Sequence, residues 1–266
     1  MPKTVDVSLG LLQMLDVLLM PSAVAPSRET PFQVLLDPKT RFKQTVKSIR
    51  RWSLLAKKHG FTIVVADNTG HSERLRLACT RLLPPEQLIF LDVPAPTAES
   101  TSRGKGAGES ESLLFALQKL KLHPDSIVAK VNARYYTTNG YFLISEIDSE
   151  FDFAAWPRPQ LDTVDTTFFA GKAGFLEKYI ARIAVEVDDL REQFVEILYA
   201  DYSIRNKDCN FVRLNYAPAT LGQSGTTGAV ASRWNEARTV SAVVRMRSWV
   251  RRKLHFIQPG YKRTRS

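Results

Sequence analysis

The chain has 266 residues, of which 44% are hydrophobic and 24% charged, a composition typical of a globular protein with one sizeable core. Its formal net charge is +10, but residues 233–266 hold ten Lys or Arg against one acid, which leaves 27 bases against 26 acids in the rest. A nearly neutral body argues against a nucleic-acid-binding surface, and no apolar run is long enough to span a bilayer. Cys79 and Cys209 show neither metal-ligand spacing nor a disulfide framework, so we expect a reducing, cytoplasmic setting and no metal site.

The first thirty residues form a segment of unclear role. Leucines recur at helical spacing between residues 11 and 19, which predicts a helix over 7–20, and a proline-containing loop follows to residue 31. On this basis the chain divides into an N-terminal segment (1–30), a main domain (31–225) and a basic tail (226–266).

The main domain alternates strands and helices at the lengths that parallel strands with crossover helices require. Its first half predicts strand 32–36, helix 40–59, strand 61–66, helix 72–83, strand 88–93, a loop over 94–108, helix 110–122 and strand 126–131. The second half predicts antiparallel pieces at 151–156 and 166–170, helix 173–183, a helix from residue 188 and a strand at 211–214. The sequence therefore predicts an α/β fold with a largely parallel, doubly wound sheet and helices on both faces.

Two cations and an amide lie at the carboxyl end of the predicted strand 126–131, which is apolar enough to be buried on both faces. Lys130, Asn132 and Arg134 lie at its carboxyl end, where open α/β sheets bind their ligands. A lysine and a bidentate arginine at that place predict a phosphate or diphosphate site. The alternative is a salt bridge to Asp125 or Glu146.

Two other stretches are candidates for the same site. Asp67 and Asn68 end a predicted strand and could accept hydrogen bonds from a base or ribose, although they could also form a simple turn. Gly104, Lys105 and Gly106 precede a helix and allow close backbone approach to an anion, although alone they indicate a mobile loop. Neither a Walker sequence nor a G-x-G-x-x-G motif after the first strand is present, which argues against an ATPase and a dinucleotide-binding protein.

Acidic residues in the second half are candidates for a general base. Asp189, Glu192 and Glu196 fall along one side of the helix predicted from residue 188, and Asp162 lies in a proline-flanked loop. The alternatives are a solvated helix face and solvated turn residues.

The basic tail has apolar residues at helical spacing, with cations elsewhere around the helix. Arg245, Arg247, Trp249, Arg251 and Arg252 predict contact with an anionic membrane surface. The alternative is a helix packed on the main domain with a solvated basic face.

The stretches VVADNTG (64–70), GKGAGE (104–109), KVNARY (130–135) and TFFA (167–170) resemble, in order and spacing, bacterial GT-A-type glycosyltransferases that build cell-surface polysaccharides. The resemblance covers about residues 32–205. The family usually ends the strand before residue 132 with an Asp-x-Asp motif that holds a divalent metal against the donor diphosphate, whereas this chain has Lys-Val-Asn-Ala-Arg. The resemblance therefore implies a metal-independent variant in which Lys130 and Arg134, with Lys105, neutralise the leaving phosphate.

The resemblance also implies a reaction. A sugar would move from a nucleotide-activated donor to a hydroxyl of a glycan or lipid-linked acceptor, with no cofactor besides the nucleotide sugar. Similarity to the late acidic motif of inverting enzymes favours Asp189 as general base, with Glu192, Glu196 and Asp162 as alternatives. The enzyme would act in the cytoplasm, peripherally on the inner face of the membrane and without nucleic acid. Two other functions stay open: a nucleotidyltransferase using the same crevice, and a non-catalytic nucleic-acid-binding protein.

Overall fold

The computed structural model describes residues 15–31, 34–147, 150–158, 162–223 and 230–232. The helices are α1 (Pro38–His59), α2 (Ser72–Cys79), α3 (Ala98–Arg103), α4 (Lys105–Leu120), α5 (Gly140–Ser145), α6 (Ala173–Glu186) and α7 (Val195–Ser203), with a 3-10 helix at Asp189–Arg191. The strands are β1 (Val17–Ser22), β2 (Thr62–Asp67), β3 (Leu88–Asp92), β4 (Ile127–Val131), β5 (Tyr136–Thr137), β6 (Phe153–Pro157), β7 (Val164–Lys172), β8 (Phe211–Arg213), β9 (Thr220–Gln223) and β10 (Val230–Ser232).

Seven strands form the central sheet in the order β3-β2-β1-β4-β7-β6-β8. The first four neighbours are parallel, β7 is antiparallel to both β4 and β6, and β8 is parallel to β6. Within this sheet β7 alone therefore runs against the others. A smaller sheet joins β10, β9 and β5. The predicted α/β class with a mostly parallel sheet is confirmed.

The sheet is covered on both faces, which is why its inner strands are apolar without alternation. One layer contains α1, α2 and α5, whose buried residues include Trp52, Leu75 and Leu143. The other contains α4, α6 and α7, with Leu113, Ile180 and others against the opposite side. The alternate residues of each strand supply the two cores.

Helix α1 has well-defined ends. The Asp37 side chain accepts a hydrogen bond from the Thr40 amide at 2.8 Å, Pro38 occupies the first turn, and Gly60 ends the helix at φ 81°. The helix predicted over 40–59 is confirmed. Its carboxyl end leads directly into β2.

Three predicted elements in the first half of the chain are wrong. Residues 17–20, predicted as helical, belong to β1, which pairs with β2 on one side and β4 on the other, while residues 7–14 lie outside the described residues. Residues 34–36, predicted as a strand, have no regular structure. The predicted loop over 94–108 contains α3 and the first turn of α4. The first β-α-β unit therefore starts at β1, before the predicted main domain.

Candidate active site

A cavity of about 980 Å³ opens at the carboxyl ends of the four parallel strands β3, β2, β1 and β4. Each of these strands contributes a residue to the cavity wall. Ser22 is the last residue of β1, and Asn68, Val93 and Asn132 directly follow β2, β3 and β4. This size and position are typical of a small-ligand site in an open α/β sheet. The structure therefore has a cavity at the carboxyl ends of the strands, where the sequence predicts a binding crevice.

Two buried arginines line the cavity. Arg134 is 7% exposed and follows β4, and Arg41 is 4% exposed in the first turns of α1. Arg41 donates from Nε to the Ala23 carbonyl at 2.6 Å and from a terminal nitrogen to the Leu35 carbonyl at 2.8 Å. Burial, and then the charge of Arg134, lower the pKa of Arg41. Two like charges held so close favour an anion between them or beside them.

Three residues that line the cavity each contain a buried oxygen without a hydrogen-bond partner among the described residues: Ser22 Oγ, Asn68 Oδ1 and Asn132 Oδ1. Asn68 is oriented by its amide nitrogen, which donates to Ser112 Oγ at 2.9 Å. Buried polar atoms are normally satisfied, because an unmade hydrogen bond costs about 1–3 kcal/mol. Because the three oxygens are buried, a ligand in the cavity would bond them only after the side chains rotate toward it.

The first two turns of α4 form another wall of the cavity. Lys105, Gly108, Glu109 and Ser112 face it because residues three and four apart share one side of a helix. Gly104, which has φ 119° and precedes the helix, also lines the cavity. A Cβ at Gly104 would lie 2.4 Å from an Asp189 oxygen, so the glycine is required for close packing and for its backbone conformation.

Glu109 is the carboxylate of this wall, and two lysines hold it. Its Oε1 is paired with Lys130 Nζ, and its Oε2 lies 3.9 Å from Lys105 Nζ. Burial acts to raise the pKa of Glu109, but the charges of Lys130, Lys105 and Arg134 outweigh it and bring the pKa below its usual value. Glu109 therefore presents a fixed negative charge to the cavity.

Lys130 does not line the cavity, contrary to the prediction. It is 1% exposed, and besides Glu109 it donates to the Thr166 carbonyl at 2.8 Å. Lys130 shares its side of β4 with Val128, and that side faces the layer of α4 and α6. Its charge consequently reaches the cavity only through Glu109.

Asp67, like Lys130, is bound to other parts of the protein and does not face the cavity. It is fully buried, and its carboxylate accepts hydrogen bonds from the amides of Val24, Thr69 and His71 and from the Thr69 hydroxyl. These bonds hold the loop after β1 against the turn after β2. Asp67 does not line the cavity.

None of the four predicted general bases lines the cavity. Asp189 accepts a hydrogen bond from the Gly106 amide at 3.2 Å at the start of α4, and its pKa is raised chiefly by burial. Glu196 accepts from the Thr166 hydroxyl at 3.0 Å, and Asp162 is exposed. Glu192 is exposed with φ 61° and separates the 3-10 helix from α7, so these acids do not share one helix as predicted.

The predicted residues thus separate into two groups. Asn68, Gly104, Lys105, Asn132 and Arg134 meet at one cavity, whereas Asp67, Gly106, Lys130 and the four acids lie behind its wall or away from it. The predicted membrane-facing residues fall outside the described residues: Arg245, Arg247, Trp249, Arg251 and Arg252.

Sequence reasoning missed Arg41 and Glu109 as members of the site. Arg41 shares the buried side of α1 with Thr45, Ile49 and Trp52, and an arginine on the apolar side of a helix was an available signal. Glu109 follows the glycines of α4 and was attributed to no role. Its importance depends on Lys130, a contact between residues 21 positions apart that sequence spacing does not show.

No family model matches this chain, and no curated protein matches it significantly. Among solved structures, the galactosyltransferase LgtC, in complex with donor and acceptor sugar analogues, is similar with a TM-score of 0.49 and 9% identity, covering 74% of this chain and 72% of that one.

A second similar structure is 4-diphosphocytidyl-2C-methyl-D-erythritol synthase from Anaerococcus prevotii DSM 20548. Its TM-score is 0.43 with 10% identity, covering 88% of this chain and 98% of that one. Both TM-scores are below 0.5, and the two proteins are named for different reactions. The reaction of this chain must therefore be argued from its own site.

Proposed function

We propose that this protein is a glycosyltransferase that binds a nucleotide-activated sugar in the cavity and transfers the sugar to a hydroxyl of a glycan or lipid-linked acceptor. The observation that supports this most is the pair of buried arginines, Arg41 and Arg134, at the carboxyl ends of parallel strands. Arginine presents a planar set of donors that matches phosphate oxygens. The resemblance to GT-A-type enzymes in the sequence points in the same direction.

The side chains that line the cavity match the chemistry of both parts of such a donor. Arg41 and Arg134 would bind the phosphates, and Lys105 at the α4 wall would add a third charge. Ser22, Asn68 and Asn132 would hydrogen-bond the nucleoside, since all three residues line the cavity at the ends of strands.

Glu109 replaces Asp189 as the carboxylate expected to meet the sugar. It lines the cavity and stays ionised, because nearby lysines lower its pKa. An ionised carboxylate accepts hydrogen bonds from sugar hydroxyls and stabilises the positive charge that develops on a sugar ring during transfer. A low pKa makes Glu109 a weak base, so its proposed role is binding and electrostatic stabilisation.

The proposal needs no metal, because the arginines can stabilise the charge on the leaving phosphate. The described part of the chain contains no group of three or more His, Cys, Asp or Glu residues placed to hold a metal ion.

Among the described helices, none is long and apolar enough to cross a bilayer. We propose that the basic tail, 226–266, attaches the enzyme peripherally to the cytoplasmic face of the membrane.

The test is a panel of nucleotide sugars and free nucleotides, assayed by thermal shift and by release of nucleotide, with and without a chelator. We expect at least one nucleotide sugar to raise the unfolding temperature and to be turned over in chelator. Release of pyrophosphate from a nucleoside triphosphate, dependent on metal, would instead identify a nucleotidyltransferase. Stabilisation by no nucleotide at all would overturn the proposal.

A further inference from the structure

Helix α1 is strongly cationic. The helix contains eight Lys or Arg and no Asp or Glu in its 22 residues. Residues 1–232 as a whole hold 27 bases and 26 acids, so without α1 they hold seven more acids than bases. The positive charge of the main domain is therefore concentrated on one helix.

Four of these cations share one side of α1. Lys43, Lys47, Arg50 and Lys57 are exposed, while the opposite side of the helix is buried in the core. No Asp or Glu among the described residues forms an ion pair with any of the four. Unpaired like charges repel one another, which an anionic partner would relieve.

Apolar side chains project among these cations. Leu54 is 72% exposed and lies in the middle of the cationic side, and Leu77 on the adjacent α2 is 61% exposed. At the carboxyl end of α1, the exposed rings of Tyr141 and Phe142 contact each other, and Lys58 Nζ lies 4.7 Å from the centre of the Tyr141 ring. Leucine and aromatic rings beside lysines are typical of a surface that enters a lipid headgroup layer.

We propose that this surface, the α1 face (Lys43, Lys47, Arg50, Leu54 and Lys57), docks onto an anionic phospholipid membrane. The cations would contact lipid phosphates, and Leu54 would enter the boundary between headgroups and acyl chains. A nucleic acid fits less well, because its phosphates would meet an exposed leucine in the middle of the contact. The proposal depends neither on glycosyl transfer nor on the basic tail.

The main test compares two charge-reversal variants of the full chain. Lys43→Glu/Lys47→Glu/Lys57→Glu alters the α1 face, and Lys119→Glu/Lys178→Glu/Lys207→Glu changes the net charge equally at exposed lysines elsewhere. Binding is measured by sedimentation with vesicles of phosphatidylcholine, with or without phosphatidylglycerol, and the unfolding temperature confirms folding. We expect the α1 variant to bind the anionic vesicles about tenfold more weakly or worse, and the control to resemble wild type.

Leu54 gives a second test at constant charge. Leu54→Ser should weaken binding to anionic vesicles several-fold, whereas Val185→Ser, at a position 76% exposed, should not. Equal weakening by the two triple variants, or equal binding of wild type to vesicles with and without phosphatidylglycerol, would overturn the proposal. Loss of binding to single-stranded RNA by the α1 variant, with vesicle binding retained, would overturn it in favour of a nucleic acid.

Discussion

Lys130 and Arg134 lie four residues apart at the exit of one strand, yet they have opposite environments. Lys130 points into the layer under α4, where Glu109 and the Thr166 carbonyl bind its ammonium. Arg134, beyond the end of β4, lines the cavity with Arg41. The difference arises at the end of the strand: Lys130 is still within β4 and points into the α4 layer, whereas Arg134 lies in the turn that follows β4 and lines the cavity.

The largest expected effect is a loss of stability when Lys130 is replaced. Lys130→Met should lower the free energy of unfolding by about 3–5 kcal/mol, because it leaves Glu109 buried without its main cation. Chemical denaturation measures the change. Lys130→Met/Glu109→Leu should recover much of the loss, since no buried charge then lacks a partner; a double variant as unstable as the single one would contradict this.

Replacing Arg134 should lower catalytic activity rather than stability. Arg134→Ala should lower turnover of the nucleotide sugar by about 10²–10³ with little loss of stability, because it removes charge stabilisation and relieves repulsion with Arg41. Turnover and thermal unfolding are measured together. Arg76→Ala, at an exposed arginine paired with Glu73, is the control and should keep full turnover. Wild-type turnover in the Arg134 variant would exclude it from the site.

The third prediction tests whether a buried carboxylate at a strand end is structural. Asp67→Asn should cost about 1–3 kcal/mol of unfolding free energy, because an amide oxygen and nitrogen cannot accept all the bonds that Asp67 accepts. Asp92, which pairs in register with Asp67 but is exposed, provides the control Asp92→Asn. Equal stability of the two variants, measured by urea unfolding, would contradict the assignment.

The last prediction concerns a carboxylate that, unlike Glu109, has no lysine beside it. Burial raises the pKa of Glu146 to about 7, although the Asn215 amide donates to it at 2.7 Å. Because the folded pKa is above that of the unfolded chain, the stabilisation is present at low pH and is lost as pH rises from about 4.5 to about 7. Glu146→Gln should remove this part of the pH dependence, about 1–3 kcal/mol after allowance for solvent screening of the partly buried carboxylate, in unfolding at the two pH values; an unchanged slope would contradict the prediction.

Much of the fold followed from periodicity, because α1, β2, β3, β4 and α6 have clear apolar patterns and end signals such as Gly60. The pattern failed where it was ambiguous. The leucines around β1 satisfy helical spacing, but a short strand buried on both faces is equally apolar. Glycines at 104–108 suggested a loop, whereas the start of α4 uses Gly104 and Gly106 for close packing against Asp189.

The candidate site was less accessible to prediction than the fold. Residues at strand ends, such as Asn68 and Asn132, could be found because topology places strand ends together. Arg41 is one of eight bases on α1, and in the sequence only its helical spacing from the apolar residues Ile49 and Trp52 distinguishes it from the other seven. The direction of Lys130 depended on Glu109, which no local pattern connects to it.

The position of β1 has a consequence for the order of folding. β1 can pair with β2 once residue 67 has been synthesised, but its other neighbour, β4, ends at residue 131. Until then the apolar edge of β1 lacks a partner, and unpaired strand edges are prone to aggregate. A ribosome-bound chain that stops before β4 should therefore depend on chaperones more than one that has passed it.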